Sequence, residues 1–158
     1  MTEWRGRMRV AVIGGNRPGR EGLDQAYRIG RLLAREGAVL VCGGLGGVME
    51  AASRGAKEAG GLTIGILPGR DPAEANPSID IPFATGLGYT RNSLVVMNAD
   101  AVIAVDGEYG TLSEIAFSLI YGKKVVGLGS WDIKGVIPAA TPEDAVNRIL
   151  PGTAHGNL

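Results

Sequence analysis

Short apolar runs alternate with helical patterns along the chain. Apolar runs fall at 8–13, 39–42, 62–67, 79–83, 101–105 and 125–128. Several are continuous, without the in–out alternation of a half-buried strand, as strands of a parallel sheet covered on both faces read. Between them lie helical segments. In 47–59 the positions Val48, Ala51, Ala52, Ala56 and Ala59 follow a 3.6-residue period, and in 112–121 Leu112, Ile115, Ala116, Leu119 and Ile120 do so. The segment 23–36 is looser and stops at Gly37, while 91–98 is a short candidate. Segment 141–150 opens with Thr141-Pro142, a good N-cap followed by proline at the first helical position. Strand–helix alternation with short connections predicts an α/β protein with a doubly wound parallel sheet, as a single domain over 1–158. Segment 68–78, with three prolines, is expected to be a loop beside a ligand crevice, and the tail 152–158 to fray.

Composition narrows the chemistry. The chain of 158 residues carries 16 basic and 16 acidic groups, so no charge imbalance favours nucleic acid or an anionic membrane. Sparse aromatics argue against a stacking platform for single strands. Cys42 is the only cysteine, which excludes an internal disulfide and a multi-thiolate zinc site. The only histidine, His155, lies among the last four residues, which disfavours a Ser-His-Asp triad and a His-rich metal site. No apolar stretch approaches the roughly 20 residues that span a bilayer, and 10–13 is too short for a signal-peptide core. The expectation is a soluble, cytoplasmic protein with no metal.

Glycine makes up 26 residues, gathered at the ends of apolar runs. Gly14-Gly15-Asn16-Arg17-Pro18-Gly19 follows the first predicted strand, Gly43-Gly44-Leu45-Gly46-Gly47 the second and Gly107-Glu108-Tyr109-Gly110-Thr111 the fifth. Ligands of open α/β sheets bind beyond the carboxyl ends of the strands, where free N–H groups and helix N-termini attract phosphate. Strand-to-helix turns often carry glycine for packing alone, but three clusters at one edge point to an anionic ligand. Two familiar motifs fail. Gly14 to Arg20 has P-loop spacing, but Arg20 and Glu21 replace the lysine and the magnesium-binding hydroxyl. The dinucleotide fingerprint lacks its G-x-G-x-x-G spacing and its ribose-binding acid.

Thr111-Leu112-Ser113-Glu114 has the form of a capping box, which alone would account for both end residues. Alternatively, Glu114 lies about 160° from the apolar face centred on Leu112 and Ala116 at 100° per residue, facing a ligand above the sheet edge. Phe117 and Tyr121 share that second face, which suggests an interface. Arg91 follows Gly86-Leu87-Gly88-Tyr89-Thr90, either as a surface charge or as a phosphate or carboxylate ligand.

At these residues the chain resembles the LOG-like superfamily, also labelled "possible lysine decarboxylase", which includes cytokinin-activating phosphoribohydrolases and molybdenum cofactor carrier proteins. The match covers roughly 9–128. Gly43-Gly44-Leu45-Gly46-Gly47-Val48-Met49 is similar to the family's G-G-x-x-G-x-M element. Arg91 matches the arginine of its R-K element, and Gly107, Gly110, Thr111 and Glu114 match its P-G-G-x-G-T-x-x-E element. Asp106 and Glu108 stand where that last element has proline and its second glycine, and Asn92 replaces the lysine. The Arg91-Asn92 pair and the compact size resemble the subgroup containing the cofactor carriers.

The resemblance implies a Rossmann-like fold, a homodimer or homotetramer, a phosphorylated nucleotide-like or pterin-like ligand and no required cofactor. For an enzyme it implies hydrolysis of the N-glycosidic bond of a nucleoside 5′-monophosphate. Glu114 would stabilise the oxocarbenium-like ribose and activate water, and Arg91 would orient the substrate. The ligand-binding set it implies is Gly14, Gly15, Asn16, Gly43, Gly44, Gly46, Gly47, Val48, Met49, Gly107, Gly110 and Thr111. The alternative is a non-catalytic carrier of the molybdenum cofactor, or a nucleotide sensor, with Glu114 mainly a helix cap. The decarboxylase label lacks chemical support. Pyridoxal phosphate needs a positioned lysine, and Lys57, Lys123, Lys124 and Lys134 lie in no cofactor motif.

Overall fold

The computed structural model describes residues 4–150; the expected fraying of 152–158 lies outside the described residues. Seven parallel strands form one sheet: β1 (Arg9–Gly14), β2 (Val39–Cys42), β3 (Thr63–Leu67), β4 (Ile81–Ala84), β5 (Ala101–Val105), β6 (Lys124–Leu128) and β7 (Val136–Pro138). Their order is β4-β3-β2-β1-β5-β6-β7. Chain order therefore reverses at β1, whose Gly14 lies in register with Val105 of β5. That switch point is where an open α/β sheet leaves a crevice.

Five helices cover the two faces: α1 (Arg20–Arg35), α2 (Val48–Glu58), α3 (Asn92–Met97), α4 (Tyr109–Ile120) and α5 (Pro142–Ile149). Alternate side chains of each buried strand serve opposite layers. Val10, Val12, Leu40 and Ile103 pack with α1, α2 and α5, while Ala11, Ile13, Val41 and Val102 pack with Val95, Val96 and Ile115 of α3 and α4. The first layer is tight because glycines let backbones meet. A Cβ at Gly30 of α1 would run into the Ala52 carbonyl of α2, and one at Gly55 into the Tyr27 carbonyl. None of the described helices is long and apolar enough to cross a membrane.

The doubly wound parallel sheet is the one the apolar runs predict, with boundaries shifted by a residue or two. Thr141 caps α5 by accepting the Asp144 N–H at 3.0 Å, with Pro142 behind it. Three expectations need correction. Strand β7 was not expected; Val136 and Ile137 are too brief an apolar run to register, and β7 is an edge strand at only three residues. Helix α1 begins at Arg20 rather than at 23, and α4 begins at Tyr109 rather than at 112. In both, polar or glycine-rich first turns hide the start. Segment 68–78 is irregular apart from a 3-10 turn over Pro72–Glu74.

Candidate functional site

Residues of β1, α2, α3 and α4 and their loops enclose a cavity of about 650 Å³ at the carboxyl edge of the sheet. Its wall at α4 follows from local backbone. Asp106 adopts φ 51°, a left-handed conformation, and Gly107 follows at φ 116°. The pair turns the chain sharply from β5 into α4, and a Cβ at Gly107 would strike the Thr111 side chain. Glu108 is the N-cap residue, but no side chain caps the helix. The amides of Tyr109, Gly110 and Thr111 find no acceptor among the described residues, and Gly110 and Thr111 line the cavity. This is the orphan-donor geometry that suits an anion.

The helix start overturns the capping box. Thr111 lies inside the first turn and cannot be the N-cap, and Glu114 is a turn too far along to reach back to it. The buried face of α4 holds Thr111, Glu114, Ile115 and Ser118, whereas Ala116 and Ile120 face outward, with Ile120 74% exposed. The apolar face expected at Leu112 and Ala116 is therefore not the one that meets the sheet. Glu114 is on the sheet-facing side, in the floor of the cavity.

Glu114 is 7% exposed and makes no hydrogen bond or ion pair among the described residues. Burial pushes its carboxyl up to about 8, partly opposed by the positive charge of Arg91. Arg91, 6% exposed, donates to three protein acceptors rather than to Glu114. Its Nε donates to the Ile66 carbonyl at 2.8 Å, Nη2 to the Gly43 carbonyl at 3.3 Å, and Nη1 to Asn92 Oδ1. Burial lowers its affinity for the proton, and Glu114 counteracts that. Arg91 thus ties the ends of β2 and β3 to α3. Asn92 continues the chain of bonds, its Nδ2 donating to Ser113 Oγ at 3.1 Å and the Gly110 carbonyl at 3.4 Å.

Of the candidate residues, Gly14, Gly15, Asn16, Met49, Arg91, Gly110, Thr111 and Glu114 line this cavity. Gly47 lines a neighbouring one of about 320 Å³. Gly43, Gly44, Gly46, Val48 and Gly107 line neither, and Gly43 and Gly44 make room for packed neighbours. A Cβ at Gly43 would lie 2.6 Å from Arg91 Nη2 and 2.7 Å from Met49 Sδ, and one at Gly44 would lie 2.6 Å from Leu67 Cδ2. The Val48 amide, first in α2, is taken by the Gly15 carbonyl at 3.0 Å. Beneath this turn the Cys42 thiol is fully buried, accepts the Gly44 N–H at 3.4 Å, and is pushed to a higher pKa by burial.

Sequence reasoning did not single out Tyr89, Tyr109, Asn92 and Ser113 as cavity residues. Asn92 registered only as a missing lysine, and two tyrosines in glycine-rich turns carry no periodic signal. The two acidic departures separate here. The Asp106 side chain lies against Gly22 of α1, whereas Glu108 lines the cavity.

The profile of the SLOG cluster 4 family matches residues 7–151. The chain belongs to that family. It is 48% identical over 141 residues to an uncharacterised protein of Archaeoglobus fulgidus, an alignment covering 89% of this chain and 93% of that one. The molybdenum cofactor binding protein of Rippkaea orientalis superposes with a TM-score of 0.86 at 39% identity, over 90% of this chain and 95% of that one. A probable cytokinin riboside 5′-monophosphate phosphoribohydrolase of Oryza sativa subsp. japonica is 35% identical over 112 residues, 68% of this chain but 46% of that relative. Within the LOG-like proteins, this family member therefore stands close to the molybdenum cofactor carriers.

Proposed function

We propose that the cavity binds a phosphorylated nucleotide-like ligand and that the chain hydrolyses the N-glycosidic bond of a nucleoside 5′-monophosphate. The observation that carries this is Glu114, a buried carboxyl without a partner, set one helical turn beyond the free amides of α4. Its oxygens open on the cavity, so a ligand can hydrogen-bond them without displacing a protein partner. With the phosphate on the amides of Gly110 and Thr111, the ribose comes over Glu114, at about the 5.4 Å rise of one turn. The carboxylate form activates water and stabilises the oxocarbenium-like ribose. Hydroxide adds to C1′, the C1′–N bond breaks with its electron pair leaving on the base, and the base takes up a proton. Arg91 holds the positive charge near Glu114 and is positioned by its carbonyl bonds rather than by the ligand.

A second reading is favoured by the near-full-length likeness to the Rippkaea orientalis protein, while the rice hydrolase is matched over less than half its length. There the same amides would hold the phosphate of a molybdenum cofactor, carried without reaction. The cavity is large enough for a tricyclic pterin, and its donors suit a phosphate. The carboxylate of Glu108 at its wall disfavours a highly charged ligand.

The test is incubation of the purified protein with AMP, followed by native mass spectrometry and assay for ribose 5-phosphate and adenine. Hydrolysis by wild type, reduced more than about 1000-fold in Glu114→Gln with AMP binding kept within about threefold, is the expected outcome. Intact bound nucleotide without turnover leaves the carrier reading, and absence of AMP binding removes the hydrolase reading. The proposal includes a homodimer or homotetramer. It is supported by the outward apolar face of α3 and α4, where Met97, Ile120 and Tyr121 are exposed beside half-buried Leu94 and Phe117. A monomer at micromolar concentration by light scattering would contradict that part.

A further inference from the structure

The cavity has a phosphate end and a carboxyl floor, but these do not account for its mouth. Tyr89 is 86% exposed and Tyr109 81% exposed, and both line the cavity. Rings of that size normally bury most of their surface. Leu45, Met49 and Pro68 complete an apolar stretch of the wall. Tyr109 is also braced. Its ring stacks on Trp131 with centroids 6.2 Å apart and planes at 30°. Trp131 is itself anchored, because its Nε1 donates to the Glu108 carbonyl at 3.2 Å. Ser130 Oγ donates to the Asp106 carbonyl at 2.7 Å. The loop between β6 and β7 thus grips the turn that presents both the α4 amides and Tyr109.

An exposed ring braced by Trp131 at the mouth of this cavity is placed to cover the face of another flat ring. Resting on the proposed phosphate reading, we infer that Tyr109 is the specificity wall for a planar heteroaromatic ring attached to the phosphorylated ligand, and that Trp131 is its positioning residue. Ring-on-ring contact accepts any flat base, so this wall selects for the presence of a ring rather than for its hydrogen-bonding edge. Purine and pterin satisfy it alike. What it rejects is a sugar phosphate with no ring attached.

The experiment compares ligands with and without a ring, in a Trp4→Phe background that leaves Trp131 as the only indole. Stopped-flow fluorescence measures AMP and 6-hydroxymethylpterin where Trp131 reports on them, native mass spectrometry measures the same two ligands in the variants that lose that signal, and calorimetry measures ribose 5-phosphate. At least one ring compound is expected to change Trp131 fluorescence, and AMP to bind more tightly than ribose 5-phosphate. In Tyr109→Ala the ring ligands weaken by about tenfold, the fluorescence change disappears, and ribose 5-phosphate stays within about twofold. Tyr109→Phe restores the preference. Trp131→Phe loses about threefold for ring ligands only, a ratio that a general loss of stability would not alter. If Tyr109→Ala keeps the full preference for rings, the wall is refuted while the phosphate reading stands. The same holds if wild type binds ribose 5-phosphate as tightly as AMP and does not bind the pterin. If wild type binds none of the three, the phosphate reading falls and the wall with it.

Discussion

The turns after β2 and β5 look alike in sequence and use their glycines differently. Both follow a buried strand, both are rich in glycine and both lead into a helix over the same sheet edge. After β2, glycine makes room for the protein itself: Gly43 for Arg91 and Met49, Gly44 for Leu67, Gly47 for the loop at Gly15 and Asn16. The first amide of α2 is consumed by the Gly15 carbonyl. After β5, the space beside Gly110 is nearly empty, with only Asn92 Nδ2 at 3.6 Å from an added Cβ, and the amides stay free. A glycine count cannot tell a cradle from a hinge of close packing. What a methyl group would meet at each position can.

The sharpest way to break this contrast is Gly47→Ala. At φ 63° and ψ −129° the residue occupies glycine territory, and its Cβ would press on the Gly15 and Asn16 carbonyls. The expected loss is roughly 3–5 kcal/mol of unfolding free energy in urea, and a loss below about 1 kcal/mol would show that this turn is not packed as described.

Glu114→Gln comes next. An acid whose folded pKa of about 8 exceeds its ordinary 4.5 keeps a proton that the unfolded chain releases. Its contribution to stability is greatest below the unfolded value and is lost as pH rises through about 8. Glutamine removes that loss, so calorimetry should find Tm equal to wild type within a degree or so near pH 4.5 and higher by roughly 5 °C at pH 9. If turnover uses the carboxylate, kcat rises across the same interval, and a flat profile would assign the chemistry elsewhere.

Gly43→Ala should cost about 1–2 kcal/mol, less than Gly47→Ala because side-chain ends rather than carbonyls must yield. Displacing Arg91 should also weaken nucleotide binding. The smallest effect on stability is expected for Gly110→Ala, within about 0.5 kcal/mol, since alanine suits a first helical turn. Its methyl group enters the cavity, so AMP should bind about tenfold less well. Stability loss without loss of affinity would invert the comparison.

The sheet was legible because β1, β2, β5 and β6 are buried on both faces, and continuous apolar runs have no other common use. Helix α4 was not, for a physical reason. Periodicity reports which residues are apolar, whereas the face that meets the sheet carries Thr111, Glu114 and Ser118, and the apolar Ile120 points outward. Arg91 and Glu114 could be picked out by motif. That Arg91 donates to three other protein acceptors, leaving the Glu114 carboxyl without a donor, needed the positions of carbonyls that no pattern of side chains encodes.

The burial of Cys42 has a practical consequence. With the only thiol sealed under the β2 turn and its pKa raised, thiolate-seeking reagents find little to attack in the folded protein. A cysteine introduced at exposed Tyr89 would therefore be the single addressable position of the chain. A fluorophore or spin label there would sit at the mouth of the cavity without first requiring the native thiol to be removed.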